Sequence, residues 1–133
     1  MRVEVYWNLH KKLWSVRALE GDNKGRVVAH VHSLTLRECS YVVQPAGQAK
    51  VRAEKRKVVH AFVRGTAVEG HFLSGAMYPI TYNPYRDDTF VTADENQLPV
   101  MSSGQTYLGT TERNGTKPVC LGFNVRFMEQ VAA

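Results

Sequence analysis

The sequence predicts an α+β fold: a single domain over residues 1–133, with a mostly antiparallel sheet and one principal helix, about residues 45–57, packed on it. Three observations carry this. Apolar and polar residues alternate along several short runs, which is the period of half-buried strands. One stretch, opened by Pro45, switches to helical spacing. Turn-forming residues separate these runs at short intervals, and no Ser/Gly-rich linker, low-complexity stretch or repeat breaks the chain.

Val3 to Tyr6 and Leu13 to Leu19 have the two-residue period, with Asn8 to Lys12 as the turn between them. Glu20 to Gly25 concentrates turn formers, so the chain is expected to return through a strand from Arg26 to Ser33. Leu34, Leu36 and Tyr41 to Val43 continue the extended pattern. Pro45 lacks an N–H that the first helical turn leaves unused, and Ala46, Ala49 and Ala53 fall on one narrow face that lets the helix lie close to a sheet. Val58 to Val63 returns to the two-residue period as a central strand. Further extended segments follow at Ala67 to Phe72, Tyr78 to Tyr82, Thr89 to Ala93, Leu98 to Met101, Gln105 to Gly109 and Pro118 to Phe127. Asn83-Pro84 and Asn114-Gly115 mark turns.

Of 133 residues 44% are hydrophobic and 22% charged, which excludes disordered and disulfide-scaffold compositions. No apolar run approaches the ~20 residues of a membrane helix, and Met1 leads into strand-like sequence instead of a signal peptide, so a soluble cytoplasmic protein is expected. Cys39 and Cys120 fit reduced thiols of that compartment, with their pairing left open. The formal charge is +5 but unevenly placed: thirteen basic residues oppose five acidic ones up to Arg64, and four oppose seven after it. Such asymmetry steers an anionic partner toward one side, although scattered solvated cations would give the same count.

The densest basic feature runs from Lys50 to Arg64. Lys50, Arg52, Lys55, Arg56, Lys57 and Arg64 are candidate anion-binding residues, because ammonium and guanidinium groups neutralise phosphates and release their counterions. Tyr82, Tyr85 and Arg86 surround a rigid Asn-Pro turn and are candidate stacking or ligand contacts. His10 and His60 are weak acid/base candidates; His60 also reads as a hydrogen-bonded core histidine. His30 and His32 share a face of their expected strand, yet a closed metal site needs more donors, and Asp22 and Glu38 are the only conjectural ones, so no metal is expected. No glycine-rich phosphate loop or dinucleotide fingerprint occurs, and no cofactor is expected.

The segments LHKKLWSVRA (Leu9 to Ala18), HVHSLTL (His30 to Leu36), KRKVVHAFVRG (Lys55 to Gly65) and YNPYR (Tyr82 to Arg86) resemble a group of small uncharacterised proteins of tailed bacteriophages. That resemblance implies a protein made in a bacterial cytoplasm during infection, an accessory or anti-defence factor, and transfers no catalytic residue. The leading functional expectation is therefore a basic accessory protein that binds nucleic acid, a nucleotide or an acidic host protein surface. A small enzyme acting on a nucleotide or a nucleotide-derived signal through His10 or His60 is the alternative. A virion or assembly component joined by an unpaired sheet edge is a third.

Overall fold

The computed structural model describes residues 1–70, 75–110 and 117–128. Alternation in the first run becomes β1 (Arg2–Asn8) and β2 (Leu13–Ala18), an antiparallel hairpin in register from Val3 opposite Ala18 to Asn8 opposite Leu13. Asn8 makes the turn itself: its side-chain oxygen accepts the backbone N–H groups of His10 and Lys11, each at 3.0 Å. The next turn needs left-handed backbone at Gly21 and Gly25, which glycine adopts without steric cost, and returns the chain as β3 (Val27–Val31).

β4 (Leu34–Val43) carries a bulge. Glu38 has φ of 51°, and the register of β4 shifts between Arg37 and Ser40. The extra residue resets the phase, so Leu36 faces the core before it while Cys39 and Tyr41 face it afterwards. α1 (Pro45–Glu54) follows, then β5 (Ala61–Val68), β6 (Met77–Thr81), β7 (Val91–Thr92), β8 (Val100–Thr110), β9 (Pro118–Phe123) and β10 (Arg126–Phe127).

Every strand pairing is antiparallel, and one sheet results in the order β3-β2-β1-β5-β4-β8-β9-β6-β7, with β10 also on β8. β9 pairs with Gln105 to Thr110 of β8 and β10 with Val100 and Ser102; between them Asn124 sits in left-handed conformation. The sheet curls, so inward residues from its two halves meet in one core: Val3, Val5, Trp14, Val16 and Val63 from one side, Leu36, Tyr41, Ile80, Phe90, Val100 and Leu108 from the other. Each such aliphatic side chain contributes about 1.5–3 kcal/mol by leaving water.

The fold class is as expected, a large antiparallel sheet with one helix, but several boundaries move. α1 ends at Glu54 rather than Lys57, because Lys55 turns into left-handed backbone (φ 54°) and donates its N–H to the Val51 carbonyl. Lys55, Arg56 and Lys57 are therefore not helical. The strand expected at Val58 to Val63 begins at Ala61 and runs on to Val68, leaving Val58 and Val59 exposed. The helix does not lie along the sheet face through its alanines. It closes against His60, where a Cβ on Gly47 would come within 2.5 Å of His60 Cβ, and reaches the 82–88 loop with Gln48 and Arg52. The segments expected at Leu98 to Met101 and Gln105 to Gly109 are not separate: Val100 and Met101 of the first and all of the second belong to the single strand β8, which leaves Leu98 and Pro99 outside it. Phe72 and the Asn114-Gly115 turn lie outside the described residues.

Candidate functional site

Helix α1, the segment that follows it and the 82–88 loop hold most of the expected site residues. Asn83 starts the loop by accepting the Tyr85 N–H on its side chain and the Arg86 and Asp87 N–H groups on its carbonyl. Arg52 then clamps the loop to the helix. Its Nε donates to the Pro84 carbonyl and its Nη2 to the Asp87 carbonyl at 3.0 Å and the Asp88 carboxylate at 3.2 Å.

A second chain of hydrogen bonds runs inward from the helix. His60 Nδ1 lies 2.8 Å from the Val58 carbonyl, which can only accept, so Nδ1 bears the hydrogen. In the neutral ring Nε2 is then an acceptor, and the Tyr82 hydroxyl donates to it at 2.7 Å. Gln48 Nε2 donates to the Tyr82 oxygen at 3.1 Å and to the Asp87 carbonyl at 3.0 Å. Burial pushes the Tyr82 hydroxyl up, only partly offset by the Gln48 hydrogen bond and the Arg52 charge, so it stays a donor at neutral pH. Both nitrogens of His60, itself 6% exposed, are thus occupied within the fold. His10 does not join them; it is exposed in the β1–β2 turn.

Asp87 is buried and accepts from the Asn83 N–H and from Arg86. Burial alone would raise its carboxyl, but the Arg86 hydrogen bonds, the Asn83 N–H and the Arg86 charge outweigh it and hold the group below its ordinary value. Arg86 is thereby engaged, whereas the Tyr85 ring stands 61% exposed.

Arg64 belongs to a different constellation, on the outer face of the sheet. The buried Glu4 carboxylate on β1 accepts from Arg64 Nε on β5 at 2.7 Å and from Arg17 Nη1 on β2 at 3.3 Å, because both arginines are its register partners. The Arg17 guanidinium also lies over the Tyr6 and Phe62 rings. Arg2 extends the set to the Thr66 hydroxyl and the Glu38 carbonyl, and Arg37 is paired with Thr66 across the sheet. Sequence reading missed Glu4, Arg17 and Arg2. The signal available was the hairpin register, which sets Glu4 opposite Arg17.

Of the six expected anion-binding residues, Arg52 and Arg64 are thus engaged by carboxylates, and Arg56 makes only an exposed contact with Glu54 at 3.5 Å, worth about 0–1 kcal/mol. Lys50, Lys55 and Lys57 are exposed and have no carboxylate partner among the described residues. His30 bonds to Ser15 through Nδ1, and His32 lies outside β3. Among the described residues no group of three His, Cys, Asp or Glu side chains is placed to hold a metal.

A family model described as the Mycobacterium phage L5 gene 82 protein matches residues 1–116. The gene 82 protein of Mycobacterium phage L5 is 45% identical over 114 residues, covering 81% of this chain and 90% of that protein. No solved structure matches.

Proposed function

The chain belongs to the family of the Mycobacterium phage L5 gene 82 protein, and from that premise we propose that this phage protein is an accessory factor that binds the phosphate backbone of nucleic acid in the infected cell. The observation that carries the reading is the run Lys50, Lys55, Arg56 and Lys57: four exposed cations within eight residues, three of them without a carboxylate partner among the described residues. Left-handed backbone at Lys55 turns the chain out of the helix, so Lys55, Arg56 and Lys57 follow its end while Lys50 stays on the helix itself. Tyr85, an exposed ring that follows Pro84 in the loop Arg52 clamps, supplies a stacking surface for an unpaired base. Arg52, Arg86 and Tyr82 have structural partners and serve the reading by positioning the loop and helix, whereas Arg64 is held by Glu4 on the sheet. No described helix is long and apolar enough to cross a membrane. The enzymatic alternative has less support, since both nitrogens of His60 are already bonded.

Four phosphate contacts give a salt slope near −3 to −4, so affinity for a labelled oligonucleotide is expected to fall roughly 100-fold between about 50 and 200 mM salt. Anisotropy titrations of the protein and of the triple variant Lys55→Glu, Arg56→Glu, Lys57→Glu test this directly. The variant is expected to fold as the parent does, because all three side chains are exposed, and to lose binding. Undiminished affinity in the variant would remove the surface from the proposal. Capture of a host protein that survives nuclease treatment, with no oligonucleotide binding, would replace nucleic acid by an acidic protein face.

A further inference from the structure

The outer face of β2, β1, β5 and β4 carries four arginines in two neighbouring rows. Register places Arg17, Glu4, Arg64 and Ser40 across one row and Arg2, Thr66 and Arg37 across the next. Arg2 and Arg37 therefore lie opposite Thr66 on its two sides, and Arg64 precedes it by two residues on β5, with Cα separations of about 5 and 7 Å respectively. Arg2 Nη1 lies 3.5 Å from the Thr66 hydroxyl oxygen and donates to the Glu38 carbonyl at 3.2 Å. Arg64 donates to Glu4 through Nε alone. Nε and Nη2 of Arg2, both Nη groups of Arg64 and the whole Arg37 guanidinium are left without an acceptor among the described residues. Solvent reaches these groups: Arg37 is exposed, and no unpaired nitrogen of Arg2 or Arg64 is buried. Four guanidinium groups against Glu4 leave +3, or +2 with the exposed Glu38 carboxylate beside Arg37 counted. Glu20, which accepts the Arg2 backbone N–H, is already opposed by the amino terminus at 4.0 Å.

We propose that this face binds a phosphate monoester as its dianion, seated over Thr66 between Arg2, Arg37 and Arg64. A surplus of open donors selects a ligand rich in acceptors, and the surplus of positive charge selects an anion. Geometry narrows the class. A carboxylate presents one edge to one guanidinium fork, the part Glu4 already plays, whereas a monoester turns three terminal oxygens toward three forks. A diester offers only two such oxygens and a single charge. Arg2 and Arg64 are already held by the Glu38 carbonyl and by Glu4, so their side chains lose little freedom on binding. The site shares no residue with the lysine-rich run and does not rest on it.

Methyl phosphate at about pH 8, where a monoester is dianionic, is the probe, and the arginine Nε–H resonances of isotope-labelled protein are the readout. Saturable shifts of the Arg2 and Arg64 signals are expected at constant ionic strength. Arg37→Gln alters an exposed side chain that has no partner among the described residues, so it should fold as the parent does. It should raise the dissociation constant for methyl phosphate roughly tenfold or more, the worth of one charged hydrogen bond. Dimethyl phosphate, a diester, should bind at least roughly tenfold more weakly than methyl phosphate in the parent. The triple variant Lys55→Glu, Arg56→Glu, Lys57→Glu should stay within about threefold of parental affinity for methyl phosphate whatever its affinity for oligonucleotide, because its exposed charges are screened. The two sites thus succeed or fail separately. Absence of saturable shifts in the parent, parental affinity in Arg37→Gln, or loss of methyl phosphate binding in the triple variant would overturn the proposal. Equal affinity for the two esters would overturn the choice of a monoester.

Discussion

At the scale of single residues, the pair His60 and Tyr82 separates a structural from a chemical role. A histidine in the middle of an apolar run reads from sequence either as a core residue or as a base, and nothing in Val59-His60-Ala61 chooses between them. The partner that chooses is Tyr82, more than twenty residues away, so the choice was not legible before the fold was known. Removing the hydroxyl with Tyr82→Phe leaves His60 Nε2 buried without its donor and Gln48 with one acceptor fewer. The expected loss is about 1–3 kcal/mol of unfolding free energy, read from urea denaturation. Tyr85→Phe, at an exposed ring, should stay within about 0.5 kcal/mol of the parent. Equal effects of the two substitutions would show that the hydrogen-bonded chain from Gln48 to Val58 contributes nothing.

Among elements, the helix and the 82–88 loop form one unit whose stability depends on a carboxylate. The start of the helix was legible, because Pro45 suits only the first turn. Its end was not: Lys55, Arg56 and Lys57 are all good helix formers, and the left-handed turn at Lys55 is imposed by the need to bring His60 under Gly47 and into line for β5. Three of the expected site cations consequently lie past the end of the helix, and a fourth, Arg52, expected to bind an anion, holds the 82–88 loop through the Asp87 carbonyl and the Asp88 carboxylate. Asp87 in that loop has its carboxyl held below the ordinary value of 3.8. A carboxylate depressed in the folded state stabilises above the unfolded value, and that contribution fades as pH falls through the folded one. Asp87→Asn is therefore expected to destabilise the protein at neutral pH, and the gap between it and the parent should narrow as pH drops below about 4. Urea midpoints of both proteins across that range provide the check; a gap independent of pH would assign the loss to shape and not to charge.

For the molecule as a whole, alternation along Val3 to Tyr6 or Leu13 to Leu19 revealed that a sheet exists, whereas the order β1-β5-β4-β8 depends on pairings between distant segments that no local pattern specifies. The bulge at Glu38 hid the inward position of Cys39, since strict two-residue counting from Leu36 puts Glu38 in the core. Cys39 in consequence lies between β5 and β8, 1% exposed, and burial, against weaker help from Thr106 and Ser103, pushes its thiol up; it and Cys120 are both free. No thiol reagent can reach Cys39 while β4 keeps both neighbours. In a Cys120→Ala variant, where Cys39 is the sole thiol, its modification rate should therefore measure how often the sheet opens. With a global stability of about 5 kcal/mol or more, the native protein is expected to react at least roughly 10³-fold more slowly than the unfolded chain. The protection should disappear with the same denaturant dependence as the tryptophan signal, because Trp14 belongs to the same core. A rate near that of the unfolded chain, or one indifferent to denaturant below the main transition, would mean that β4 detaches by local fraying, and that the curled sheet is not a single cooperative unit.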